Sequence, residues 1–208
     1  MAASKKIELI QQTYELLKTT APDDLKIRDI AKACDCTPAA VYKHFEDLDA
    51  LVRFGCVRFL EDYIRETTKI VSENMDPLEM LMIMWEEFSK CAFRYPAVYL
   101  LLFWGRFKKQ LGDTIFEYYQ IFPEEWQSGG GLMTSVFFNS DIRERNYMVV
   151  RRAAASGYFR HEEARLVSDL QCYLMHGALM DGSGGGSEER QSQFMGMLRS
   201  TIERYRIK

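Results

Sequence analysis

The densest group of chemically useful side chains lies at the start of a short predicted helix near position 40. Thr37 precedes Pro38 and offers a hydroxyl at the helix N-terminus, and Tyr42, Lys43 and His44 add three hydrogen-bond donors at the same edge. Hydroxyls and free backbone N–H groups at a helix N-terminus suit the oxygens of a phosphate. The types and spacing of these residues therefore indicate a phosphate-binding surface.

Two short helices separated by a tight turn would position these side chains. Ile30 and Ala31 give the first helix a buried face, and Val41 and Phe45, four residues apart, do the same for the second. The turn between them is expected to place Asp35 at a positive φ. The residues left facing outward are Pro38, Ala39, Ala40, Tyr42, Lys43 and His44. A helix that presents its N-terminal residues in this way can enter the major groove of DNA.

The segment 27–51 resembles the helix-turn-helix of the TetR family of transcriptional regulators. The shared features are the pair Ile30-Ala31, a short turn, and the run Tyr42-Lys43-His44-Phe45. The similarity is specific over roughly residues 7–54, and beyond them only the helix pattern agrees. The resemblance implies an all-α protein with a three-helix DNA-binding domain in residues 1–50. Residues 51–208 would form a helical domain that binds an effector and dimerises.

The resemblance also implies a mechanism and a set of contacts. A homodimer would bind double-stranded, palindromic operator DNA and be released by a small-molecule effector of unknown identity, with repression as the commoner outcome in the family. A long fourth helix, from Leu48 to about Ser72, would link the two domains. The residues expected to contact DNA are Lys26, Arg28, Thr37, Pro38, Ala39, Ala40, Tyr42, Lys43 and His44.

Three positions depart from the family pattern. Lys26 stands where Ser or Thr is usual, Asp35 where Gly is frequent, and Leu48 where a phosphate-contacting Lys is common. Residues 1–55 carry eight Lys and Arg against nine Asp and Glu, a net charge of −1. Because non-specific affinity comes largely from the neutralisation of phosphates, we expect weak non-specific binding and a dependence on two half-sites.

The composition is that of a folded, helical protein. Hydrophobic residues make up 47% of the 208 residues and charged residues 27%, with a formal net charge of −3. Helical periodicity dominates, and no stretch alternates as a β-strand does. The longest strongly apolar stretch, 97–104, is shorter than the ~20 residues that cross a bilayer, and no cleavable leader is recognisable. We therefore expect a cytoplasmic protein with reduced thiols and no membrane partner.

Other functional classes find less support. No nucleophile–base–orienter set appears, and three histidines offer little material for acid–base chemistry, so neither an enzyme nor a cofactor is expected. Cys34 and Cys36, near His44, match no usual zinc spacing, so no metal site is predicted either. A thiol-based redox switch stays open. The alternative function is a helical protein-interaction module without sequence-specific DNA binding, in which the pattern at 27–51 would be incidental.

The middle of the chain is unusually rich in aromatic residues. An apolar cavity between helices, with a few polar groups, is the usual small-molecule site of a helical protein. Aromatic residues at helical spacing also form ordinary cores, so both interpretations stand. Our hypothesis is a pocket for a mostly apolar or aromatic compound. It would be lined by some of Trp85, Phe88, Phe103, Phe107, Tyr119, Phe137, Tyr147, Tyr173 and His176.

The last two predicted helices, about 162–180 and 188–205, carry apolar residues on more than one side. Such helices are buried on more than one side, so one face can pack on the parent domain and the other on a second subunit. Two helices from each subunit would then form a two-fold, four-helix interface, as in the TetR family. The residues predicted at this interface are Leu166, Leu170, Leu174, Phe194, Leu198 and Ile202.

Overall fold

Every regular element of the computed structural model is helical within the residues that it describes, which are 2–126, 130–182 and 185–207. The α-helices are α1 Ala2–Leu17, α2 Ile27–Ala33, α3 Pro38–Val41, α4 Leu48–Val57, α5 Glu61–Ile70, α6 Pro77–Arg94, α7 Pro96–Phe103, α8 Leu111–Ile121, α9 Gly130–Phe137, α10 Ile142–Ala155, α11 Ala164–Met180 and α12 Ser187–Tyr205. The all-α prediction is confirmed. Within the described ranges, no helix is long and apolar enough to cross a membrane.

Local capping residues set where three of these helices begin. The Thr37 side chain accepts a hydrogen bond from the backbone N–H of Ala40 at the start of α3. Asp47 accepts one from Ala50 at the start of α4, with 2.7 Å between nitrogen and oxygen. Asp76 caps α6 in the same way. Each cap satisfies a backbone donor that the first helical turn leaves free, and the position predicted for Thr37 at the N-terminus of its helix is confirmed.

The fourth helix is interrupted, and the prediction of one continuous helix from Leu48 to about Ser72 is wrong. A short 3₁₀ turn, Arg58–Leu60, separates α4 from α5, and α5 ends at Ile70. At this turn the hydroxyl of Tyr99, on α7, donates a hydrogen bond to the carbonyl oxygen of Phe59 at 3.1 Å. A side-chain donor at a helix carbonyl competes with the i→i−4 ladder, which accounts for the break.

Helix α4 joins the N-terminal helices to the rest of the molecule. Helix α1 packs along α4, while the other side of α4 contacts α7 and α8. The core of the larger C-terminal part lies among α6, α10, α11 and α12, which pack against one another. A shift of α4 relative to this core would therefore carry α1, α2 and α3 with it.

Two further contacts hold the N-terminal helices against the C-terminal part. The guanidinium of Arg106, after α7, pairs with Asp23 at 2.5 Å and with Asp49 at 3.1 Å. The rings of Tyr14 on α1 and Tyr95 at the end of α6 each lie 4.6 Å from the ring of Phe59, measured between centroids. The two parts are thus joined by an ion-pair cluster and by an aromatic stack around the 3₁₀ turn.

Candidate functional site

Helices α2 and α3 form a helix-turn-helix whose inner face is buried. Ile30, Ala31 and Val41 are buried, as the spacing predicted. The turn closes through a 2.9 Å hydrogen bond from the Cys36 N–H to the Ala31 carbonyl oxygen, and Asp35 adopts a φ of 44°. The positive φ predicted for Asp35 is confirmed; aspartate tolerates this region better than most residues other than glycine.

The residues predicted to contact DNA all remain accessible. Those that are exposed are Lys26, Arg28, Thr37, Ala39, Tyr42 and Lys43, and those that are partly exposed are Pro38, Ala40 and His44. Tyr42 keeps 52% of its surface exposed, which leaves its hydroxyl free to donate. The fold therefore presents hydrogen-bond donors at both ends of α3 without any change in its buried core.

The departure at Lys26 changes how α2 begins. A lysine side chain cannot accept a hydrogen bond, so α2 lacks the side-chain N-cap that Ser or Thr would provide. The carboxylate of Asp29 instead accepts a hydrogen bond from the backbone N–H of Lys26 at 3.2 Å. This hydrogen bond from the N-cap backbone to a side chain of the first turn stabilises the start of the helix, and the Lys26 side chain stays exposed.

The charge at this edge differs from the net −1 of the N-terminal segment. Among the residues with described positions, Lys26, Arg28 and Lys43 form no ion pair, while Arg106 of the C-terminal part neutralises Asp23 and Asp49. The cations at the start of α2 and at the end of α3 thus stay available to an anionic partner, and two of the acidic groups that oppose them are paired elsewhere.

Two lysines of α1 have structural roles that the sequence alone did not reveal. Lys5 donates a 2.7 Å hydrogen bond to the carbonyl oxygen of Cys34 at the end of α2, and it also pairs with Glu8. The Lys6 ammonium lies above the rings of Phe45 and Phe54, 5.5 and 5.2 Å from their centroids. These contacts fix the helix-turn-helix on α1, since cations favour both helix C-termini and aromatic faces.

A small internal cavity of about 30 Å³ lies between α5, α6, α9 and α10. Its lining residues are Tyr63, Leu81, Met84, Trp85, Phe88, Val136, Ile142, Arg145, Asn146 and Val149. The volume is sufficient for ordered water but not for an organic ligand, because a cavity that accepts benzene measures roughly 150 Å³. Tyr63 belongs to α5, so this cavity touches the segment that leads to the helix-turn-helix.

Of the aromatic residues predicted to bind an effector, Trp85 and Phe88 line this cavity. The side chains of Phe103, Phe107, Tyr119 and Phe137 are buried and do not line it, and Tyr119 instead lines a separate apolar cleft of about 380 Å³ beside Trp126 and Phe138. Their burial follows from edge-to-face packing, in which Phe88 lies 5.1 Å from Phe103 and Tyr63 lies 5.6 Å from Phe137 between ring centroids. Phe103 and Phe137 therefore support the cavity from outside its wall.

The remaining predicted effector residues lie away from the cavity. Tyr173 is 55% exposed on the outer face of α11, so it cannot line an internal pocket in this structure. The Tyr147 ring lies under the guanidinium of Arg165, 4.0 Å from ring centroid to Cζ. The ring of His176 stacks on that of Trp104, with 5.0 Å between centroids. Helical spacing placed these residues near the aromatic cluster, but each of them faces a different neighbour.

A buried network of amide side chains closes one side of the cavity. The Trp85 indole N–H donates to Asn146 Oδ1 at 3.0 Å and to Gln171 Oε1 at 3.1 Å. Asn146 Nδ2 in turn donates to Gln171 Oε1 at 2.8 Å and to the backbone and hydroxyl oxygens of Ser168. Because Asn146 uses both its oxygen and its nitrogen in the network, its orientation is fixed and it has little left to offer a ligand.

Arg145 is the functional candidate that sequence reasoning missed. Its side chain is only 3% exposed, its Nε donates to the carbonyl oxygen of Asn139 at 2.5 Å, and its guanidinium lies 5.1 Å from the ring centroid of Phe103. Burial lowers the pKa of Arg145 to about 10, which still leaves it charged at neutral pH. The available signal was an arginine on the apolar side of α10, between Ile142 and Val149.

The predicted dimer residues divide into two groups. Phe194, Leu198 and Ile202 of α12 are buried within the protomer, where the Phe194 ring lies 5.6 Å from that of Trp85. These three residues therefore cannot contact a second subunit in this structure, which corrects the prediction. Leu166 is 49% exposed, and Leu170 and Leu174 are partly exposed. Both faces of α12 are apolar in the sequence, and only packing on α6 shows which one is internal.

One face of α11 forms a continuous exposed stripe. Leu166, Leu170, Tyr173, Gly177 and Met180 follow at steps of three or four residues, the spacing of one helical face. Nothing within 4 Å would meet a Cβ added at Gly177. A helical glycine costs about 1 kcal/mol relative to alanine, so the protomer itself has no steric reason to keep glycine there.

Comparison with known proteins agrees with this geometry. Residues 9–53 match the family model of bacterial regulatory proteins of the tetR family. No curated protein matches the chain at a significant level. The sequence match to the family model is thus confined to the segment that contains the helix-turn-helix.

Similarity to solved structures extends over the whole chain. A TetR transcription regulator from Haloarcula marismortui is 18% identical with a TM-score of 0.62, over 98% of each chain. A TetR-family transcriptional regulator from Agrobacterium tumefaciens is 20% identical with a TM-score of 0.60, over 99% of this chain and 100% of that one. A Saccharomonospora viridis protein solved in complex with choline is 14% identical with a TM-score of 0.64, over 98% and 97%.

These similarities show that the chain shares the complete fold. The family match covers the buried and the exposed residues of α2 and α3 alike, and the shared fold covers the helices that follow them. The helix-turn-helix segment thus matches the tetR family model in sequence, and the whole chain shares the fold of solved TetR-family transcriptional regulators.

Proposed function

We propose that this regulator acts as a homodimeric repressor that binds a palindromic operator and leaves it when a small molecule enlarges the internal cavity. Residues 1–50 would read the DNA, and residues 51–208 would dimerise and bind the effector. The observation that carries the proposal is that Thr37 at the N-cap of α3 and Tyr42 and Lys43 at its C-terminal end are exposed, while Val41 on the inner face is buried.

The contacts with DNA follow from the position of each residue. Pro38, Ala39 and Ala40 at the start of α3 are the residues that would face base edges, where an alanine methyl can meet that of thymine. Thr37, Tyr42, Lys43 and His44 would contact phosphates beside them. Lys26 and Arg28, at the start of α2, would bind the flanking backbone. Most of these contacts are to phosphates, so sequence discrimination would depend on a few base contacts and on the spacing of two half-sites.

The dimer would form through the exposed stripe on α11 and the outer face of α12. Leu166, Tyr173 and Met180 expose large apolar groups on α11, and Met197 does so on α12. Gly177 and Gly196 each leave space where a partner helix could approach closely, since nothing within 4 Å would meet a Cβ at either position. An isologous pairing of these two helices would bury the stripe in a four-helix interface.

The route from the cavity to the DNA passes through α5. Tyr63 forms part of the cavity wall, and α5 continues through the 3₁₀ turn at Arg58–Leu60 into α4, on which α1 packs. A ligand that displaces Tyr63 would shift α5 and α4, and with them the spacing of the two α3 helices. Such a ligand favours the state that does not fit the operator, which is the requirement for release.

The structural comparisons support a small-molecule site in this fold. The Saccharomonospora viridis protein holds choline, so a helical chain of the same architecture accommodates an organic molecule. In the present chain, the cavity beside Tyr63, Trp85 and Phe88 is the candidate for the corresponding role, and its aromatic wall suits a ligand with an apolar body.

The test of the proposed function is a pair of double variants. Tyr42→Ala with Lys43→Ala removes two donors from α3, whereas Phe116→Ala with Lys109→Ala removes an exposed aromatic ring and an exposed lysine elsewhere. We expect the first variant to lose binding to the promoter region next to its own gene by fluorescence anisotropy, while its dimerisation by analytical ultracentrifugation is unchanged. The second variant should bind as the wild type does. Equal DNA affinity in both variants would refute the proposal and favour a protein-interaction module.

A further inference from the structure

The guanidinium of Arg145 is the one strongly charged group in the cavity wall. Within the described part of the chain, no carboxylate lies within ion-pair distance of it, and its Nη2 atom has no hydrogen-bond partner. The group is only 3% exposed, so it is removed from bulk solvent. Buried charges are ordinarily paired, because removing a charge from water is costly. An uncompensated guanidinium at a cavity wall therefore indicates that its partner comes from outside the chain.

The surroundings of Arg145 position this group without neutralising it. Its Nε is held by the carbonyl oxygen of Asn139, and its plane lies near the ring of Phe103. Both contacts are with neutral groups, so they fix the direction of the fork and leave its charge available. The neighbouring amide of Asn146 is used by Trp85, Ser168 and Gln171, so Arg145 is the principal free donor in the wall.

A second unpartnered donor lies next to the cavity. Gln171 accepts hydrogen bonds from Trp85 and Asn146 through its Oε1, which assigns the other end of its amide as Nε2. That nitrogen is buried and has no partner among the described residues. Arg145 Nη2 and Gln171 Nε2 thus both lack an acceptor among the described residues, and both side chains belong to the group around Trp85.

The remaining wall specifies the rest of the ligand. Trp85, Phe88, Tyr63 and Met84 are aromatic or apolar and can surround a hydrocarbon or aromatic body. One guanidinium balances one negative charge, and a carboxylate matches its fork with two parallel hydrogen bonds. A doubly charged phosphate would leave one charge buried without compensation. Resting on the proposed function, we propose that the effector is a small aromatic monocarboxylic acid whose carboxylate binds Arg145.

The size of the cavity sets how this ligand would act. The present volume of about 30 Å³ is well below the roughly 150 Å³ that accepts benzene, so an aromatic acid must displace part of the wall. Met84 has a flexible side chain, and Tyr63 lies on α5, the helix that leads toward the helix-turn-helix. Pairing with Arg145 would hold the acid against α10 and direct its ring toward these residues. The energy of ion pairing would thereby drive the displacement of α5.

The experiment compares ligands that differ only in charge. Phenylacetate, its neutral amide phenylacetamide and the cation 2-phenylethylamine have nearly the same shape. Binding to the full-length protein is measured by calorimetry, without DNA, for the wild type, Arg145→Met, Arg145→Lys and the matched control Arg151→Met. Arg151 lies on the same helix and is exposed, so its replacement changes the net charge equally but leaves the cavity intact.

The location of the ligand is read from the tryptophans. The chain has three, and only Trp85 lines the cavity, so the indole N–H signals of Trp104 and Trp126 serve as internal references in an NMR titration. We expect the acid to shift the Trp85 signal and to bind at least tenfold more tightly than the amide in the wild type and in Arg151→Met. This preference should vanish in Arg145→Met and return in part in Arg145→Lys.

Three results would overturn the inference: equal binding of acid and amide by the wild type, an acid preference that survives in Arg145→Met, or an acid that shifts Trp126 and not Trp85. Thermal unfolding shows whether each variant is folded. If Arg145→Met is not folded, the comparison of acid and amide binding between the wild type and Arg145→Lys provides the test. Because binding is measured without DNA, it is independent of the proposed function. An acid that binds through Arg145 but does not release the operator would contradict the proposed mechanism of release and leave this inference intact.

Discussion

Lys43 at the end of α3 and Arg145 in the cavity beside α10 both lack an ion-pair partner among the described residues, but their surroundings are opposite. Lys43 is exposed to water, which screens its charge, whereas Arg145 is 3% exposed and is surrounded by aromatic and aliphatic side chains. An exposed cation has almost no effect on the stability of the fold and is available to bind a phosphate. A buried one lowers the stability of the protein until an anion arrives.

The two regions therefore use charge in different ways. At the DNA-binding edge, stability comes from Ile30, Val41 and Phe45 on the inner face, and the functional residues contribute little to it. At the cavity, Phe88 and Trp85 serve both the core and the ligand wall. Substitutions at the DNA-binding edge should consequently change function without changing stability. Substitutions at the cavity should change both.

The largest expected effect is on the cavity wall. Phe88→Ala should lower the free energy of unfolding by about 3–5 kcal/mol, because it removes a buried ring that contacts Tyr63, Trp85 and Tyr99. Tyr42→Ala, at the exposed edge, should change it by less than about 0.5 kcal/mol. Urea denaturation followed by circular dichroism measures both. Equal losses of stability would contradict the proposed contrast between the regions.

The next effect concerns the proposed dimer, which brings two DNA-binding edges together. Tyr173→Glu should raise the dissociation constant of the dimer by about 100-fold or more, since it buries a charge at the centre of the α11 stripe. Phe116→Glu alters another exposed aromatic residue, 56% exposed on α8, and should leave the dimer intact. Sedimentation equilibrium measures both constants. Dimers of equal strength would place the interface elsewhere.

A smaller effect is expected when one edge cation is removed. Lys43→Ala should weaken operator binding by roughly tenfold. It should also reduce the slope of log affinity against log salt by about 2, because each of the two subunits loses one phosphate contact and each contact contributes ~0.9. Arg160, exposed just before α11, provides a control in Arg160→Ala. Anisotropy titrations at several salt concentrations give both slopes, and an unchanged slope for Lys43→Ala would remove this residue from the interface.

The smallest expected effect has the opposite sign. Arg145→Met should raise the free energy of unfolding by on the order of 1 kcal/mol, because the desolvation penalty of an unpaired buried charge exceeds the value of its single hydrogen bond to Asn139. Lys43→Met, at the exposed edge, should leave stability unchanged. Thermal unfolding compares the two, and a marked destabilisation by Arg145→Met would show that the arginine is mainly structural.

The helix-turn-helix could be predicted from the sequence because its determinants are local. The Thr37 cap, the turn at Asp35 and the buried pair of Val41 and Phe45 lie within ten positions of one another, and the structure contains each of them. Family resemblance and residue chemistry agreed here. The turn that divides α4 from α5 could not be predicted in this way, since it depends on Tyr99, far along the chain.

The cavity and the dimer face depend on contacts between distant helices. Phe194 and Tyr173 both follow the helical period, and only the packing of α12 on α6 and of α11 on α10 shows that the first is internal and the second external. Arg145 is a charged residue that sequence reasoning would place at the surface, yet α10 turns it toward Phe103. Periodicity identifies that a helix has a buried side, but it does not identify the neighbours that the side meets.

The most direct test is a fluorescence-anisotropy titration of the wild-type protein against the promoter region next to its own gene, at two salt concentrations, with random DNA as control. We predict saturable binding to the promoter that exceeds binding to random DNA by orders of magnitude, and a salt dependence that reflects the phosphate contacts of both subunits. Equal and weak binding to both DNAs, at a salt concentration where specific complexes persist, would contradict the assignment of α3 as an operator-reading helix.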